Sequence, residues 1–425
     1  MIVDGVRTPF AKAGTALKDV PAKELGRAAL RELLDRTDLD PALVDEAVIG
    51  NVGQPMDATN ISRVIALEAG IPKERPAHTV QRNCASGLEG IAQAYQRVRY
   101  GEADVVVAGG TESMSQIPLV VSRGLTDVYA GLAGARNAAQ KAQAILKFRP
   151  AHLAPVVALA EGLKDPVCGL NMGETAEVLA REFAISREAQ DAFALRSHQR
   201  AVAAQQAGRL AEEIVPVFTP PDYGKVVAQD VGPRPNQTME QLAKLKPFFD
   251  REHGTVTVGN ACPVTDGAVM LLVMSEERAH ALGYRPLGRI RAVGFAGVEP
   301  ERMGLGPALA TPVALDRAGV TLDDLALVEI NEAFAAQVLA CLDAMASPAF
   351  YRERMGRDHA VGVVDQERLN VNGGAIALGH PVGASGARIT LTLLKELRRR
   401  GGGLGLAALC VGGGQGGAIV VESLA

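Results

Sequence analysis

The chain has 425 residues, enough at about 150 residues per domain for two or three folding units. Its 44 basic and 48 acidic residues leave a net charge of −4. A chain with this charge has no overall positive electrostatic field to attract a polyanion, so nucleic acid is not an expected partner. Five cysteines without a Cys-x-x-Cys pair exclude a disulfide framework and make a metal site unexpected. These features favour a globular protein in a reducing, cytoplasmic compartment.

Strand and helix patterns alternate along the chain, which predicts an α/β fold. Residues 2–7 are typical of a strand and lack the long apolar stretch of a signal peptide. Helical spacing of apolar residues over 88–98 is followed by the apolar run 104–110, which predicts a buried strand. A further strand is predicted at 325–330 and a further helix at 389–397.

An uncharged stretch near the end of the chain resembles a membrane span. Residues 401–421 are long enough to cross a bilayer, but nine of these 21 residues are glycine, which is unfavourable inside a helix. We therefore expect two buried strands, 404–409 and 418–421, joined by a glycine turn.

Three pairs of similar segments indicate an internal repeat. Their offsets are 281, 299 and 150 residues, so a long insertion is expected to interrupt the first half before its last strand. The paired segments are 35–39 with 316–320, 84–87 with 383–386, and 267–271 with 417–421. The predicted domains are a first half formed by 1–115 and 248–275, an inserted domain at 116–247, and a second half at 276–425.

Cys84 precedes the predicted helix 88–98. A helix N-terminus carries free N–H groups and a positive dipole end, which are expected to lower the pKa of a thiol and favour the thiolate. Small residues after Cys84 leave room for a substrate carbonyl near the main chain. A buried, unreactive cysteine is the alternative.

Three other positions also combine a reactive or polar side chain with a distinctive setting. His380 lies in a glycine-rich loop and can serve as a base for a thiol, although a hydrogen-bonded core histidine is the alternative. Cys410 ends a predicted strand, and the glycines after it, Gly412 first, place N–H groups beside its sulfur. The glycine run lacks the Lys-Ser/Thr ending of a phosphate-binding P-loop. Asn331 follows strand 325–330, where polar residues often face a crevice but also cap helices.

Taken together, these segments closely resemble the thiolase family. The matching motifs occur in the family's order across nearly the whole chain, so they are far more specific together than any one alone. They are Asn83–Gly87, Ala108–Ser115, Asn331–Gln337, Asn372–Pro381 and Cys410–Gly414.

The resemblance implies a ping-pong reaction in which two acyl-CoA molecules condense or a 3-ketoacyl-CoA is cleaved by CoA. Cys84 is then the nucleophile that becomes acylated, and His380 takes its proton. Cys410 removes or returns the α-proton of acetyl-CoA. One oxyanion hole consists of the N–H groups of Cys84 and Gly412, and the other of His380 and a water held by Asn331. Substrates are CoA and acyl-CoA, and no permanently bound cofactor is implied.

The implied fold has two similar βαβαβαββ halves in α/β/α/β/α layers, with a loop domain that covers CoA. Met172, Ala261 and Cys262 are the implied CoA contacts. Many members have Ser where this chain has Cys262, so that contact departs from the family pattern. Short-chain biosynthetic members also read His-Met-Gly where this chain reads Asn-Met-Gly around Met172.

The family forms dimers and tetramers, so a homo-oligomer is expected. Segments 127–165 and 343–369 are long, as in β subunits of fatty-acid-oxidation complexes, which implies a hydratase/dehydrogenase α subunit as a possible partner. Those β subunits usually have His in place of Asn331, so the chain mixes two patterns. Residues 131–162 are expected to form amphipathic helices that contact such a partner or, peripherally, a membrane surface. Packing of these helices on their own protein is the alternative.

Two other functions are weaker alternatives. A decarboxylating ketoacyl synthase of the same superfamily uses two histidines and one cysteine, whereas this chain offers Cys84, His380 and Cys410. A catalytically silent, thiolase-like lipid-binding protein needs none of these three side chains. Preference between acetoacetyl-CoA and longer 3-ketoacyl-CoA substrates is left open.

Overall fold

The computed structural model describes residues 1–424. Its strands are β1 Ile2–Arg7, β2 Ala11–Lys12, β3 Glu46–Gly50, β4 Ala77–Val80, β5 Val105–Ser113, β6 Leu119–Val120, β7 Val156–Val157, β8 Val217–Thr219, β9 Lys225–Val227, β10 Thr265–Met274, β11 Gly288–Gly297, β12 Leu325–Ile330, β13 Gly403–Val411 and β14 Gln415–Ser423. Its α-helices are α1 Ala22–Thr37, α2 Ile61–Glu68, α3 Ser86–Arg99, α4 Arg123–Gly134, α5 Ala138–Leu146, α6 Ala158–Gly162, α7 Met172–Glu182, α8 Arg187–Gln206, α9 Met239–Ala243, α10 Glu276–Ala281, α11 Gly306–Ala318, α12 Ala335–Ala346, α13 Pro348–Met355, α14 Ala375–Leu378 and α15 Ser385–Arg399.

Ten strands form one sheet in the order β12-β13-β14-β11-β1-β10-β5-β3-β4, with β2 paired to β10. The sheet has two groups of strands, joined where β1 meets β11 through the single pair Ile2 and Gly288. In the first group β3 and β5 are parallel, whereas β10 runs antiparallel to β5 and β1. In the second group β12 and β13 are parallel, whereas β14 runs antiparallel to β13 and β11. The two groups therefore repeat one pattern, as the paired sequence segments predict.

Three apolar cores separate the layers of the protein. Helices α1 and α2 pack on one face of the first strand group, and α11 and α12 pack on one face of the second. Between the two groups lies a third core, to which α3, α15 and strands of both groups contribute. This arrangement of helices and strands confirms the predicted α/β class and its layered order.

Helices α3 and α15 approach each other closely because small residues face each other at their N-termini. A Cβ atom on Gly386 would lie 2.7 Å from Leu88 N, and one on Gly87 would lie 2.9 Å from Gly383 O. Strand β5 comes nearer still, since a Cβ on Gly110 would lie 1.9 Å from Gly383 O. The segments that precede the two helices are therefore held side by side.

Residues 115–264 add no strand to the large sheet in the described part of the chain. A buried ion cluster ties this segment to β1: Arg7 Nε bonds Glu213 Oε1 at 2.7 Å, and its two terminal nitrogens bond Asp230 at 2.7 Å. All three side chains are buried, and mutual pairing offsets their desolvation. The boundaries assigned to the inserted domain stay a prediction.

Within this segment, α4 and α5 pack mainly on each other and barely on the rest of the protein. Val128 is the only buried residue of α4, and Ala144 the only buried residue of α5. Large apolar side chains are exposed around them. They are Leu119, Val120, Val121, Tyr129, Ile145, Leu146, Leu153, Val156 and Val157.

No helix within residues 1–424 combines the length and the apolar character that crossing a membrane requires. The uncharged stretch 401–421 forms β13 and most of β14 instead, with a glycine turn between them, as predicted.

Candidate active site

The loop that carries Cys84 is fixed just before α3. Asn83 adopts a left-handed conformation with φ of 43°, which asparagine tolerates better than most residues. Its side-chain amide donates to Gly412 O at 2.7 Å. Ser86 Oγ donates to Asn83 O at 2.7 Å and accepts from Arg82 N at 2.9 Å. These bonds hold Cys84 against the turn between β13 and β14.

The thiol of Cys84 is partly buried, and the N–H of Gly412 lies near enough to influence its pKa. Burial raises the pKa of this thiol above its usual value, and the Gly412 N–H only partly opposes the effect. The prediction that the helix N-terminus lowers this pKa was wrong, because desolvation outweighs the nearby N–H groups. Cys84 is therefore a protonated thiol at rest and needs a base to become a nucleophile.

A tight glycine turn places Cys410 and Gly412 beside that thiol. Gly413 and Gly414 have φ of 90° and 82°, so the turn demands glycine at both positions. Cys410 is completely buried one residue before the end of β13. Burial raises its pKa well above that of a free thiol, and the nearby Cys84 adds to the effect.

His380 lies between α14 and α15, where its position is fixed from two sides. The main-chain N–H of His380 donates to Thr265 Oγ1 at 3.0 Å, and the main chain of His380 forms a parallel β-bridge with Val264. The imidazole is buried, with Nδ1 at 2.5 Å from Ser385 Oγ. Burial, aided by the charge of Arg388, lowers the pKa of His380 to about 4, so the ring is neutral. Within residues 1–424, no protein atom bonds Nε2.

Asn331 follows β12 directly and lies beside the end of β13. The main-chain N–H of Asn331 donates to Ala408 O at 2.9 Å. The side chain is completely buried, yet neither amide atom has a hydrogen-bond partner in the described protein. Helix α12 begins at Ala335 with Phe334 as its N-cap residue, so Asn331 does not cap that helix. Burying an amide without a hydrogen-bond partner is costly, so the side chain of Asn331 is expected to bond a ligand or a water.

The neighbouring Glu332 has a different, structural setting. Its carboxylate accepts from Ser197 Oγ at 2.6 Å, Asn370 Nδ2 at 2.9 Å and Ile376 N at 3.2 Å. Burial raises its pKa, and these three donors oppose the effect. Glu332 therefore connects α8 of the inserted segment to the segments around Asn331 and His380.

The three implied CoA contacts lie near Cys84 and Cys410. Met172, Ala261 and Cys262 belong to the apolar cluster that contains Cys410. A Cβ atom on Gly412 would lie 3.1 Å from Met172 Sδ. The segment after Asn331 holds the main chain of Ala261 and Cys262. Ala261 forms a β-bridge with Phe334, and Cys262 N donates to Ala333 O at 3.0 Å. Burial and the nearby Cys84 raise the pKa of Cys262.

The structure thus joins segments that are hundreds of residues apart into one apolar site. The three thiols are protonated, the imidazole is neutral, and N–H donors face the sulfur of Cys84. Such a site can form a covalent thioester, provided that the histidine takes the thiol proton. Within residues 1–424, no group of three or more His, Cys, Asp or Glu side chains is placed to hold a metal ion.

Sequence reasoning missed the side chains that position this site. Asn83, Thr265 and Ser385 each bond a reactive residue or its main chain. Asn83 belongs to a motif segment and Ser385 to the repeated segment 383–386, but nothing in local spacing assigns either of them a partner. Thr265 lies 115 residues from His380, so only the folded structure reveals their contact.

Comparison with known proteins places this arrangement among characterised relatives. The family models "Thiolase, N-terminal domain" and "Thiolase, C-terminal domain" match residues 1–277 and 284–423. A 3-ketoacyl-CoA thiolase of Yersinia pestis (strain Pestoides F) is 45% identical over 423 residues, covering 99% of this chain and 96% of the relative.

Solved structures agree with the sequence matches. The acetyl-CoA acetyltransferase of Bacillus anthracis is 39% identical with a TM-score of 0.86, and 100% of this chain matches 98% of that one. Two structures of human mitochondrial 3-ketoacyl-CoA thiolase, one of them in complex with CoA, are each 39% identical with a TM-score of 0.85 and the same coverage. The predicted fold is thereby confirmed.

Proposed function

The chain belongs to the thiolase family, and we propose that it is a 3-ketoacyl-CoA thiolase rather than an acetyl-CoA acetyltransferase specialised for acetoacetyl-CoA. The observation that carries this choice is the 45% identity to a 3-ketoacyl-CoA thiolase along nearly the full chain. The side chains packed around Cys410 are apolar and include Phe249, Met303 and Phe334.

In the first half of the reaction, Cys84 attacks the 3-keto carbonyl carbon of the substrate. His380 Nε2 takes the thiol proton as the carbon–sulfur bond forms. The N–H groups of Cys84 and Gly412 stabilise the oxygen that becomes negative, each donor contributing about 3 kcal/mol to lowering the barrier. The contact of the Gly412 N–H with the thiol supports this role, because it places the donor beside the reacting carbon.

The carbon–carbon bond then breaks, and the acetyl-CoA enolate leaves. Cys410 protonates its α-carbon, while His380 Nε2–H and a water held by Asn331 stabilise the enolate oxygen. The unpartnered buried amide of Asn331 supports a water at that position. Condensation uses the same groups in reverse.

In the second half, CoA releases the acyl group from Cys84. The CoA thiol gives its proton to the Cys410 thiolate and attacks the acyl thioester. The bond from the acyl carbon to Cys84 breaks, and His380 returns its proton to the departing sulfur. Every proton is accounted for, and the protein ends as it began.

Met172, Ala261 and Cys262 are proposed to contact the CoA arm near the reacting sulfur. Their place in one cluster with Cys410 supports this. A thiol is a weak hydrogen-bond donor, so Cys262 is proposed to pack against the arm where Ser in other members would donate to it.

The direct test compares CoA-dependent cleavage of acetoacetyl-CoA with that of a long-chain 3-ketoacyl-CoA, followed as loss of enolate absorbance. A higher kcat/KM for the long chain is expected. Preference for acetoacetyl-CoA would contradict the proposed specificity and indicate an acetyltransferase. If folded protein cleaved neither substrate, the catalytic role of Cys84 would also be refuted.

We further propose that residues 119–157 form a contact surface for a hydratase/dehydrogenase α subunit. This segment exposes nine large apolar side chains and carries five basic residues but only one acidic residue, although the whole chain is acidic. Apolar area flanked by positive charge fits an acidic partner surface. A homodimer or a tetramer is the proposed assembly of the chain itself.

Co-purification with such a subunit tests the contact surface. Tyr129→Ser combined with Leu146→Ser is expected to abolish co-purification without changing cleavage of 3-ketoacyl-CoA. Flotation of the protein with anionic liposomes, but no co-purification, would replace the partner proposal with a peripheral membrane contact. Light scattering of the purified chain measures its oligomeric state.

A further inference from the structure

The two nitrogens of the His380 imidazole have different surroundings. Nδ1 lies 2.5 Å from Ser385 Oγ, whereas Nε2 has no protein partner in residues 1–424. Both side chains are buried, with exposed fractions of 6% for His380 and 1% for Ser385. Since the ring is neutral, one nitrogen carries a hydrogen and the other a lone pair. The hydrogen bond with Ser385 influences which of the two nitrogens carries the hydrogen.

Ser385 has a second neighbour that decides the direction of its hydrogen bond. Its Oγ lies 3.0 Å from Pro381 O, which can only accept. If the hydroxyl donates to Pro381 O, its lone pairs face Nδ1 and the ring donates from Nδ1. If the hydroxyl instead donates to Nδ1, the ring hydrogen lies on Nε2.

Hydrogen-bond satisfaction favours the first arrangement. With the hydrogen on Nδ1, both hydrogens of the pair have protein acceptors, namely Ser385 Oγ and Pro381 O. With the hydrogen on Nε2, a buried N–H has no protein acceptor, and such donors are costly. In the first arrangement, the donation to Pro381 O also makes Ser385 Oγ a better acceptor.

Within residues 1–424, no carboxylate hydrogen-bonds this ring, although a carboxylate often orients a catalytic histidine. The positive charge of Arg388 adds to the effect of burial in lowering the pKa of the ring. The serine hydroxyl is therefore the group that holds Nδ1.

We propose that Ser385 is a positioning residue that keeps the His380 hydrogen on Nδ1, so that the Nε2 lone pair faces the site and takes the proton of Cys84. This inference rests on the proposed function. When Nε2 accepts that proton, Nδ1–H stays bonded to Ser385 Oγ, and the ring then offers Nε2–H to the enolate oxygen. Ser385 itself touches no substrate.

The tautomer is measurable by ¹⁵N NMR of protein labelled at histidine, without any substrate. The His380 signals are those that disappear in His380→Gln. We expect a protonated Nδ1 and an unprotonated Nε2 in the native protein, and loss of this preference in Ser385→Ala. A protonated Nε2 in the native protein, or an unchanged tautomer in Ser385→Ala, would overturn the proposal.

Kinetics provide a second readout. Ser385→Ala is expected to lower kcat and the rate of Cys84 alkylation by iodoacetamide about 10- to 100-fold at neutral pH, with KM changed less than about 3-fold. Ser385→Thr, which keeps the hydroxyl, is expected to restore most of both rates. Unchanged alkylation in Ser385→Ala, or no recovery in a folded Ser385→Thr, would count against the role.

Thr390→Val is the matched control on the same helix. Thr390 is also buried, and its hydroxyl donates to Gly386 O at 2.8 Å without contacting His380. It is expected to lose a similar amount of stability but to keep kcat and alkylation. Equal losses of activity in Thr390→Val and Ser385→Ala would reveal a merely structural effect. If the native protein cleaves no substrate while the NMR result holds, the proposed function fails and the tautomer assignment stands.

Discussion

The side-chain amide of Asn83 donates to the carbonyl oxygen of Gly412 at 2.7 Å, across 329 residues of chain. The N–H of the same Gly412 lies near the Cys84 thiol and opposes the rise in its pKa. The first half, which carries the proposed nucleophile Cys84, thus also holds the second-half residue whose N–H lies near that thiol.

Asn83→Gly tests this connection. Glycine tolerates the left-handed backbone of residue 83 but cannot bond Gly412, so the N–H facing Cys84 loses its support. We expect kcat/KM to fall about 10-fold with about 1 kcal/mol lost in the free energy of unfolding. Gln81→Ala is the control, because it removes only a 3.3 Å bond to the same asparagine. Equal activity of Asn83→Gly and Gln81→Ala would exclude the role.

Replacement of Cys84 separates an enzyme from a binding protein. Cys84→Ala is expected to abolish cleavage of 3-ketoacyl-CoA yet retain CoA binding by calorimetry, because the proposed CoA contacts lie on other residues. Cys168→Ser, at a partly exposed cysteine, is expected to keep full activity. Residual turnover by Cys84→Ala well above the uncatalysed rate would refute the acyl-cysteine mechanism.

Asn331 and Asn370 are two buried asparagines with opposite expected behaviour. The amide of Asn331 has no partner in the described protein, so Asn331→Ala is expected to cost little stability but to lower kcat about 100-fold. Asn370 bonds both main-chain groups of Ile330 and the Glu332 carboxylate, so Asn370→Ala is expected to cost about 3 kcal/mol. Urea unfolding and steady-state kinetics measure both effects. A large loss of stability in Asn331→Ala would indicate a structural role instead.

Buried neutral histidines make stability depend on pH in a defined window. Folding lowers the pKa of His380 from 6.5 to about 4, so the unfolded chain binds a proton that the folded protein does not. Stability from this group is therefore full above pH 6.5 and falls as pH drops towards 4, by about 3 kcal/mol. His380→Gln is expected to flatten the stability profile between these values, measured by urea unfolding.

His198 provides the control for that measurement. Burial, aided by Arg234, lowers its pKa to about 4 as well, but it lies outside the site. His198→Gln is expected to flatten the stability profile similarly and to keep activity, whereas His380→Gln loses activity. An unchanged profile in both variants would mean that neither histidine is held neutral.

Gly110 tests the close contact between the halves. A Cβ atom there would lie 1.9 Å from Gly383 O, so Gly110→Ala is expected to cost about 3 kcal/mol or more, or to prevent folding. Gly134 ends α4, and a Cβ atom there would meet no neighbouring segment within 4 Å, so Gly134→Ala is expected to change stability by less than about 1 kcal/mol. Similar midpoints of thermal unfolding in the two variants would contradict this packing.

Several strands and helices could be predicted from local pattern because each of them carries its own periodicity. Apolar runs at 104–110 and 325–330 became β5 and β12, and the helical spacing at 88–98 became α3. The repeated segments also predicted two like halves. What local pattern does not contain is how the halves meet, so the joining pair Ile2 and Gly288 was not foreseen.

The candidate catalytic residues could be proposed from the family resemblance, but the pKa shifts of their side chains could not be predicted from it. The expected fall in the pKa of Cys84 depends on solvent access as much as on helix position, and burial is a property of the whole fold. The hydroxyl of Ser385 beside His380 is likewise visible only when side chains are placed.

The inner core between the two strand groups has a consequence for how the molecule comes apart. Helices α3 and α15 each cover apolar faces that belong to both halves, so neither half has a complete interior alone. Cutting the chain between them would expose two matching apolar faces at once. The halves should therefore melt as one calorimetric unit, and a ligand bound at their shared end should protect the most distant amides of both from hydrogen exchange.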